Sequence, residues 1–430
     1  MEKEVRIFKK GNKIYRKVND IDEITQIINI FDKNGFFPDK IVETKVYDKQ
    51  NKILESACLP TIIHTGEFTP SMLIDLTQQT IEMAETLLPL GVYPFDLVPH
   101  NYTYHNGNWT FYDFDSFSLN KNLFKAQIRS TFKVTFCAFE ILKRLKRNKQ
   151  KHYFLNRISH SEFFKMVSFL TFLSWAIKLS TCLFLHKLNL NKLALRVIKQ
   201  QFKNYKKNIL LEELSFSCEE NDNITCNIID KILIENNINS IFTITKKSAK
   251  WSTQSKTIAR KFVYLDDYDL CDKFYNFIHK NNYKNISTAV IYPFMKDNEI
   301  PKNTTYKGIY DYFAQERFNA EAVIILDSSE LHENKNFDIE TFCKNIVEFS
   351  TQLLVQVFDK KTEANLAQKI KNELIKYYKN TEIIEQNDSI ILIAKEKTVP
   401  LTNFNSLPQY ENSNRAREAK QHSKEIIKLL

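Results

Sequence analysis

Hydrophobic and polar positions alternate with period two through "VRIF" and "KIYRKV", with the polar "KKGN" between them. That pattern predicts a β-hairpin at the start of the chain. "DIDEITQIINIFDKNGF" changes to a helical period with an Asp at its entry, and "KIVETKVYDKQNKILESACLP" predicts two further strands joined by "DKQN". "TPSMLIDLTQQTIEMAETLLPLG" reads as a helix, with Thr69 ahead of Pro70 at its first turn and Gly91 past its end. "WTFY" is a short apolar run that reads as a strand. From Asp115 to about residue 208 the pattern is helical. Within that stretch "FFKMVSFLTFLSWAIKLSTCLFLH" is the most apolar part of the chain. A membrane span wants about twenty apolar residues with few charges, and Lys178 and the interleaved Ser and Thr point instead to a core helix, with an interfacial membrane helix as the alternative. The basic helix that follows, "NKLALRVIKQQFKNYKKN", suits either solvent or an anionic lipid surface.

"EELSFSCEENDN" (212–223) is acidic and without a clear period, and marks a boundary. Beyond it strands and helices alternate. "SIFTIT" is expected as strand, "STQSKTIARK" as helix, "FVYL" as strand, "LCDKFYNFIHKN" as helix, then "STAVIY" and "AEAVIIL" as strands. "IETFCKNIVEFS", "LLVQVF" and "TEANLAQKIKNELIKYYKN" continue as helix, strand and helix. "TEII" and "SIILIAK" close the series as a pair around Asn387-Asp388. Alternation of this kind implies βαβ units and a parallel sheet covered on both faces, with an antiparallel last strand.

A chain of 430 residues exceeds one ordinary core, so two domains are expected. The pattern divides it into strands and a helix over 1–60, helices over 61–210, a linker over 211–230, an α/β domain over 231–400 and a tail over 401–430. The formal charge of +10 suits anionic partners such as nucleotides, phosphoglycans or a membrane surface. No nucleic-acid motif accompanies it, so no nucleic acid is expected. Seven scattered cysteines without a Cys-x-x-Cys pair argue against a zinc site and a disulfide framework and suit a reducing compartment. The polar start, "MEKEVRIFKKGNK", has no signal-peptide character, so a cytoplasmic location is expected, including the inner face of a membrane. Six glycines in total allow neither a G-x-G-x-x-G nor a P-loop. Oligomeric state is not encoded in any of these patterns.

The candidate chemistry lies in "YPFDLVPHNYTYHNGNWTFYDFDSF". Phosphoryl transfer to a hydroxyl needs one carboxylate beside the acceptor, and an amide and a second carboxylate on the Mg²⁺ that bridges the nucleotide phosphates. Asp96-Leu97 precedes Asn101 at the spacing of a kinase catalytic loop, and Asp113-Phe114 follows the expected strand. Asp96 would orient the acceptor, while Asn101 and Asp113 would hold the metal. The alternative is an Asx-rich turn before a hairpin, since "HNGN" is itself a turn signal. His100 and His105 flank the loop without a third metal ligand. Asp327 and His332 lie at the end of an expected parallel strand, where α/β proteins bind ligands.

Taken in order, the two halves resemble a bacterial family that carries a kinase-like N-terminal region ahead of a class I S-adenosylmethionine-dependent methyltransferase domain. That family includes host-specificity nodulation proteins and is similar in layout to the kinase–methyltransferases that terminate O-antigen chains. "PFDLVPHNYTYHNGNWTFYDFDSFS" resembles its diagnostic segment, "KIYRKV" and "TGEFTPSML" resemble its strand and helix entry, and "FVYLDDYDLCDKFYNFI" and "ERFNAEAVIILDSSELHE" resemble its sheet. The resemblance implies a kinase-like bilobal domain followed by a Rossmann-like domain. It implies Mg²⁺ and ATP, S-adenosylmethionine, and a cell-surface glycan or glycolipid substrate with peripheral membrane contact. Lys13, Arg16 or Lys17 would meet phosphate, with Glu67 as ion-pair partner. Asp266 or Asp267 would hold the cofactor ribose. Two departures stand out. Asp115 replaces the glycine of Asp-Phe-Gly, a form similar to that of kinases acting on lipopolysaccharide core sugars. Thr243, Thr245 and Ala249 stand where the methyltransferases carry an Asp and two glycines, with Lys246 and Lys247 adding positive charge.

Overall fold

The computed structural model describes residues 7–10, 13–57, 59, 69–97, 101–105, 107–129, 131, 169–208, 223–265, 268–290, 320–329, 338–347 and 349–398. β1 (Ile7–Lys10) and β2 (Lys13–Lys17) form the expected hairpin, and β3 (Thr44–Asp48) and β4 (Ile53–Ala57) complete an antiparallel sheet of order β1-β2-β4-β3. Between β2 and β3 runs α1 (Ile21–Lys33). Asp20 starts it by accepting hydrogen bonds from the Asp22 and Glu23 amides, satisfying donors that the first turn leaves orphaned. Ile21, Ile24, Ile27 and Phe31 are its buried face, at the three- and four-residue spacing of an amphipathic helix.

α2 (Pro70–Leu87) has Thr69 as N-cap and Pro70 at its first position. A 3₁₀ turn, Leu88–Leu90, ends at Gly91 in the left-handed region with φ 70°. The chain then enters β5 (Tyr93–Pro94), the hairpin β6 (Tyr102–His105) and β7 (Asn108–Phe111), and β8 (Phe117–Ser118), which pairs with β5. α3 (Phe169–Lys187) and α4 (Asn191–Asn208) pack on each other, and α4 packs on α2. α3 is only half a core helix. Trp175, Leu179 and Cys182 are buried, whereas Leu173, Ile177 and Phe184 are exposed. Among the described residues no helix is long and apolar enough to cross a membrane.

The second sheet has seven strands: β9 (Ser240–Thr243), β10 (Arg260–Leu265), β11 (Ile286–Val290), β12 (Ala320–Ile325), β13 (Ser350–Asp359), β14 (Tyr378–Gln386) and β15 (Ser389–Lys397). Their order is β11-β10-β9-β12-β13-β15-β14. β11 to β13 are parallel, and β15 and β14 are antiparallel additions joined at Asn387, φ 50°. With α5 (Asn223–Glu235), α6 (Lys246–Gln254), α7 (Tyr268–Lys280), α8 (Ile339–Val347) and α9 (Lys360–Leu374), this is a methyltransferase-like α/β fold.

Two expectations are corrected here. The helix read over "STQSKTIARK" lies about six residues earlier, as α6. Asp230 of α5 accepts hydrogen bonds from Ser255 Oγ at 2.7 Å and Lys256 N at 2.8 Å, which ends α6 and releases Arg260 and Lys261 into β10. The linker read over 211–230 also ends sooner, because α5 begins at Asn223. α5 places Ile229, Ile232 and Leu233 in one buried cluster with Ile241 and Trp251. A second cluster runs without a break from α1 through α2 to the other face of the sheet.

Candidate functional site

The hairpin β6–β7 brings two of the three anchors together. Its register, Tyr102 opposite Phe111, places Asn101 beside Tyr112, whose amide donates to the Asn101 carbonyl at 2.9 Å. Asn101 Nδ2 then donates to Asp113 Oδ2 at 3.2 Å and to the Asp96 carbonyl at 3.0 Å. The hairpin of the turn reading is present, and residues 98–100 of the expected loop lie outside the described residues. Asn101 is 5% exposed, and its Oδ1 accepts no hydrogen bond among the described residues. With its nitrogen fixed by two acceptors, that oxygen has a defined direction.

Asp113 is held from several sides. Ser116 Oγ donates to Oδ2 at 2.6 Å, and Arg16 Nη1 lies 2.5 Å from Oδ1. Arg16 is therefore the cation of β2 that reaches the site. Strand alternation sends Lys13 and Lys17 to the other side, and both are exposed. Lys13 lies 3.5 Å from Glu55. Phe114 is buried between Phe31 of α1, at 5.7 Å between ring centres, and Phe37 at 6.2 Å. Glu67, His100, Asp266, Asp267 and His332 lie outside the described residues, as does the His105 side chain.

Sequence reasoning missed three supports. Ser116 was overlooked as a donor to Asp113. Glu23 accepts from Ser118 Oγ at 2.6 Å and Leu119 N at 2.7 Å, tying α1 to the segment after Asp113. The third support is α7, from the second sheet. Asp272 accepts from Ser71 N at 2.9 Å and Ser71 Oγ at 3.0 Å, at the positive end of α2. Burial raises the Asp272 carboxyl pKa, partly offset by hydrogen bonds from Thr69 and Ser71. Tyr275 OH donates to Asp75 Oδ2 at 3.0 Å and accepts from Trp109 Nε1 at 3.1 Å. Ser287 Oγ donates to the Tyr104 carbonyl at 3.0 Å. The hairpin is thus clamped between α2 and the second sheet. No short-range sequence signal marks contacts that span some two hundred residues.

A second candidate lies where a doubly wound sheet binds ligands, at the strand ends on either side of the order reversal between β9 and β12. Here the side chains satisfy one another. Ser248 Oγ accepts from Thr243 Oγ1 and is hydrogen-bonded to Thr245 Oγ1. Lys247 Nζ lies 2.8 Å from Asp327 Oδ2, across the gap. Burial alone would raise the Asp327 pKa, but the hydrogen bonds from Lys247 and Ser329 and the Lys247 charge outweigh it and hold the carboxyl below the usual range. Thr243, Ile244, Thr245, Ser248 and Ala249 are all buried. Among the described residues the segment after β9 is filled by its own side chains, and Asp266 and Asp267, expected at the cofactor ribose, lie outside them.

The resemblance implies Mg²⁺ at Asn101 and Asp113. Mg²⁺ is commonly held by one or two carboxylates together with substrate phosphates, without a cage made wholly of protein ligands. No cluster of three His, Cys, Asp or Glu occurs among the described residues, and Asp113 stands as one carboxylate with the Asn101 amide beside it.

No protein-family model matches the sequence, and no curated protein matches it. Among solved structures, it is similar to an rRNA methylase from Escherichia coli, with TM-score 0.29 and 12% identity over 64% of this chain and all of that one. It is also similar to precorrin-6y C5,15-methyltransferase from Geobacter metallireducens, with TM-score 0.29, 11% identity, 43% of this chain and 94% of that one. A third likeness is to magnesium protoporphyrin IX methyltransferase from Synechocystis with bound SAH, with TM-score 0.26, 10% identity, 46% of this chain and 95% of that one.

Proposed function

We propose that the chain is a nucleotide-dependent phosphotransferase acting through Asp96, Asn101 and Asp113. The observation that carries this reading is the Asn101 amide, whose nitrogen is fixed on Asp113 and on the Asp96 carbonyl while its oxygen is left for a cation. Asn101 and Asp113 would hold Mg²⁺. Arg16 stands beside Asp113, on the kind of strand from which a kinase lysine meets phosphate. The helix α1 following that strand, and the antiparallel sheet around it, are what a kinase small lobe requires. Asp96 would accept a hydrogen bond from the acceptor hydroxyl and turn its oxygen toward the phosphoryl group. When bound, ATP would supply that group and Mg²⁺ would neutralise the charge developing on it. The acceptor class, a cell-surface glycan or glycolipid intermediate, rests on the motif resemblance and on the net positive charge.

Incubation with γ-labelled ATP, Mg²⁺ and glycan acceptors is the test. Asp96→Asn is expected to lower turnover by about 10²- to 10⁴-fold, the range for loss of a general base, and chelation of the metal to stop it. Unchanged turnover in Asp113→Ala overturns the proposal. A second reading, methyl transfer, is favoured by the order of the seven strands. Calorimetry with S-adenosylmethionine decides it: binding would establish a cofactor site, and no heat at high protein concentration would leave the second sheet a support for the first site.

A further inference from the structure

Six of the eleven large hydrophobic side chains that are at least a third exposed among the described residues are Leu173, Ile177, Phe184, Leu188, Leu190 and Leu193. All belong to the α3–α4 hairpin. Single exposed apolar residues are ordinary, but a cluster in one element is not. Leu173, Ile177 and Phe184 are spaced by four and seven residues, so they form one stripe along α3. The buried Trp175, Leu179 and Cys182 occupy the opposite side. α3 is therefore apolar on both faces, with only one of them in the core.

The charge of the same hairpin is one-sided. From Phe169 to Asn208 there is no Asp or Glu against eight Lys or Arg. Lys192, Arg196 and Lys203, spaced by four and seven residues, are exposed on α4. Among the described residues none of these three makes an ion pair, whereas Lys199, toward α2, lies 2.6 Å from Glu85.

One occupant answers both features. A second copy of the chain would set eight cations against eight. A nucleic acid would take the cations and leave the apolar stripe in water. An anionic leaflet accepts apolar side chains at the boundary of headgroups and acyl chains and places its phosphates around Lys and Arg. No described helix can cross a bilayer, so the hairpin would lie along the surface. We infer that α3 and α4 form a docking face for a membrane rich in anionic lipid, with the apolar stripe of α3 inserted and the basic stripe of α4 against headgroups.

Co-sedimentation of the full chain with vesicles tests this. Vesicles containing phosphatidylglycerol are expected to pellet the protein, and vesicles of phosphatidylcholine alone to pellet about tenfold less. Ile177→Asp with Phe184→Asp should lower the binding about tenfold or more. Lys192→Glu with Arg196→Glu and Lys203→Glu should abolish the preference for phosphatidylglycerol. All five side chains are exposed on their helices, so melting temperatures of both variants should match the parent. No pelleting, equal pelleting of parent and the double Asp variant, or a self-association that the double Asp variant abolishes would overturn the inference. Phosphotransfer is not read in this experiment, so its outcome is independent of the proposed reaction.

Discussion

The two candidate sites differ in what their polar groups do. Around Asp113 the donors converge, and among the described residues the Asn101 amide oxygen accepts no hydrogen bond. At the ends of β9 and β12, Thr243, Thr245 and Ser248 close a hydroxyl set, and Lys247 and Asp327 neutralise each other. A site prepared for a ligand keeps oriented valences that the protein itself does not use. Both carboxylates, Asp113 with Arg16 and Asp327 with Lys247, are paired with a cation, so the contrast rests on the Asn101 amide oxygen. The order reversal of the sheet directs attention to the second place, and the proposed reaction to the first.

The sharpest way to break this contrast is Asn101→Ala. It is expected to cut phosphotransfer about 10²- to 10³-fold, as for loss of one preorganised polar group, whereas Thr245→Ala should leave the rate unchanged. Equal effects would erase the distinction. Next in size, Tyr275→Phe removes the hydroxyl shared by Trp109 and Asp75 and should cost about 1–3 kcal/mol in denaturant unfolding, the range for stranding buried partners. A lower kcat in the same variant would show the clamp acting on the hairpin.

Lys261 probes the scaffold in the other direction. It is buried in β10, and desolvation lowers its pKa to about 8 against the opposing pull of Asp230. A depressed pKa means that stability is lost as pH falls through about 8. Lys261→Met should therefore gain about 1 kcal/mol at neutral pH and flatten the melting temperature between pH 8 and 10. Asp272 has the opposite sign. Its raised pKa gives a contribution that is complete below the ordinary carboxylate value, about 4, and declines as pH rises through the folded value. Asp272→Asn should remove that decline. The smallest effect is expected from Asp327→Asn. The lowered pKa makes its contribution present at neutral pH and lost as acid passes the folded value, and the half-exposed Lys247 limits it to about 1 kcal/mol or less.

Much of this was legible because its causes are local. Asp20, Thr69-Pro70 and Gly91 announce helix ends within three residues of where they act. The turn between β6 and β7 and the apolar run after it predicted the hairpin that joins Asn101 to Asp113. The start of α6 was misread because the residue that ends the helix, Asp230, sits in another helix and leaves no mark on "STQSKTIARK". Arg16 could not be chosen over Lys17 until strand alternation was fixed by pairing with β4. Glu23, Ser116 and Asp272 look like ordinary surface residues in the sequence. Their partners are known only once the chain is folded.

The carboxylate that holds the first turn of α2 comes 201 residues later in the chain than the serine it binds. During synthesis α2 emerges, followed by the loop of Asp96, the hairpin and the docking helices, all before Asp272 exists. The first half can collapse early, since domains generally begin to fold as they leave the ribosome. The start of α2 and the β6–β7 hairpin acquire their final support only when α7 arrives. A chain stopped short of α7 would carry every residue of the proposed site and still lack the brace that α7 gives α2.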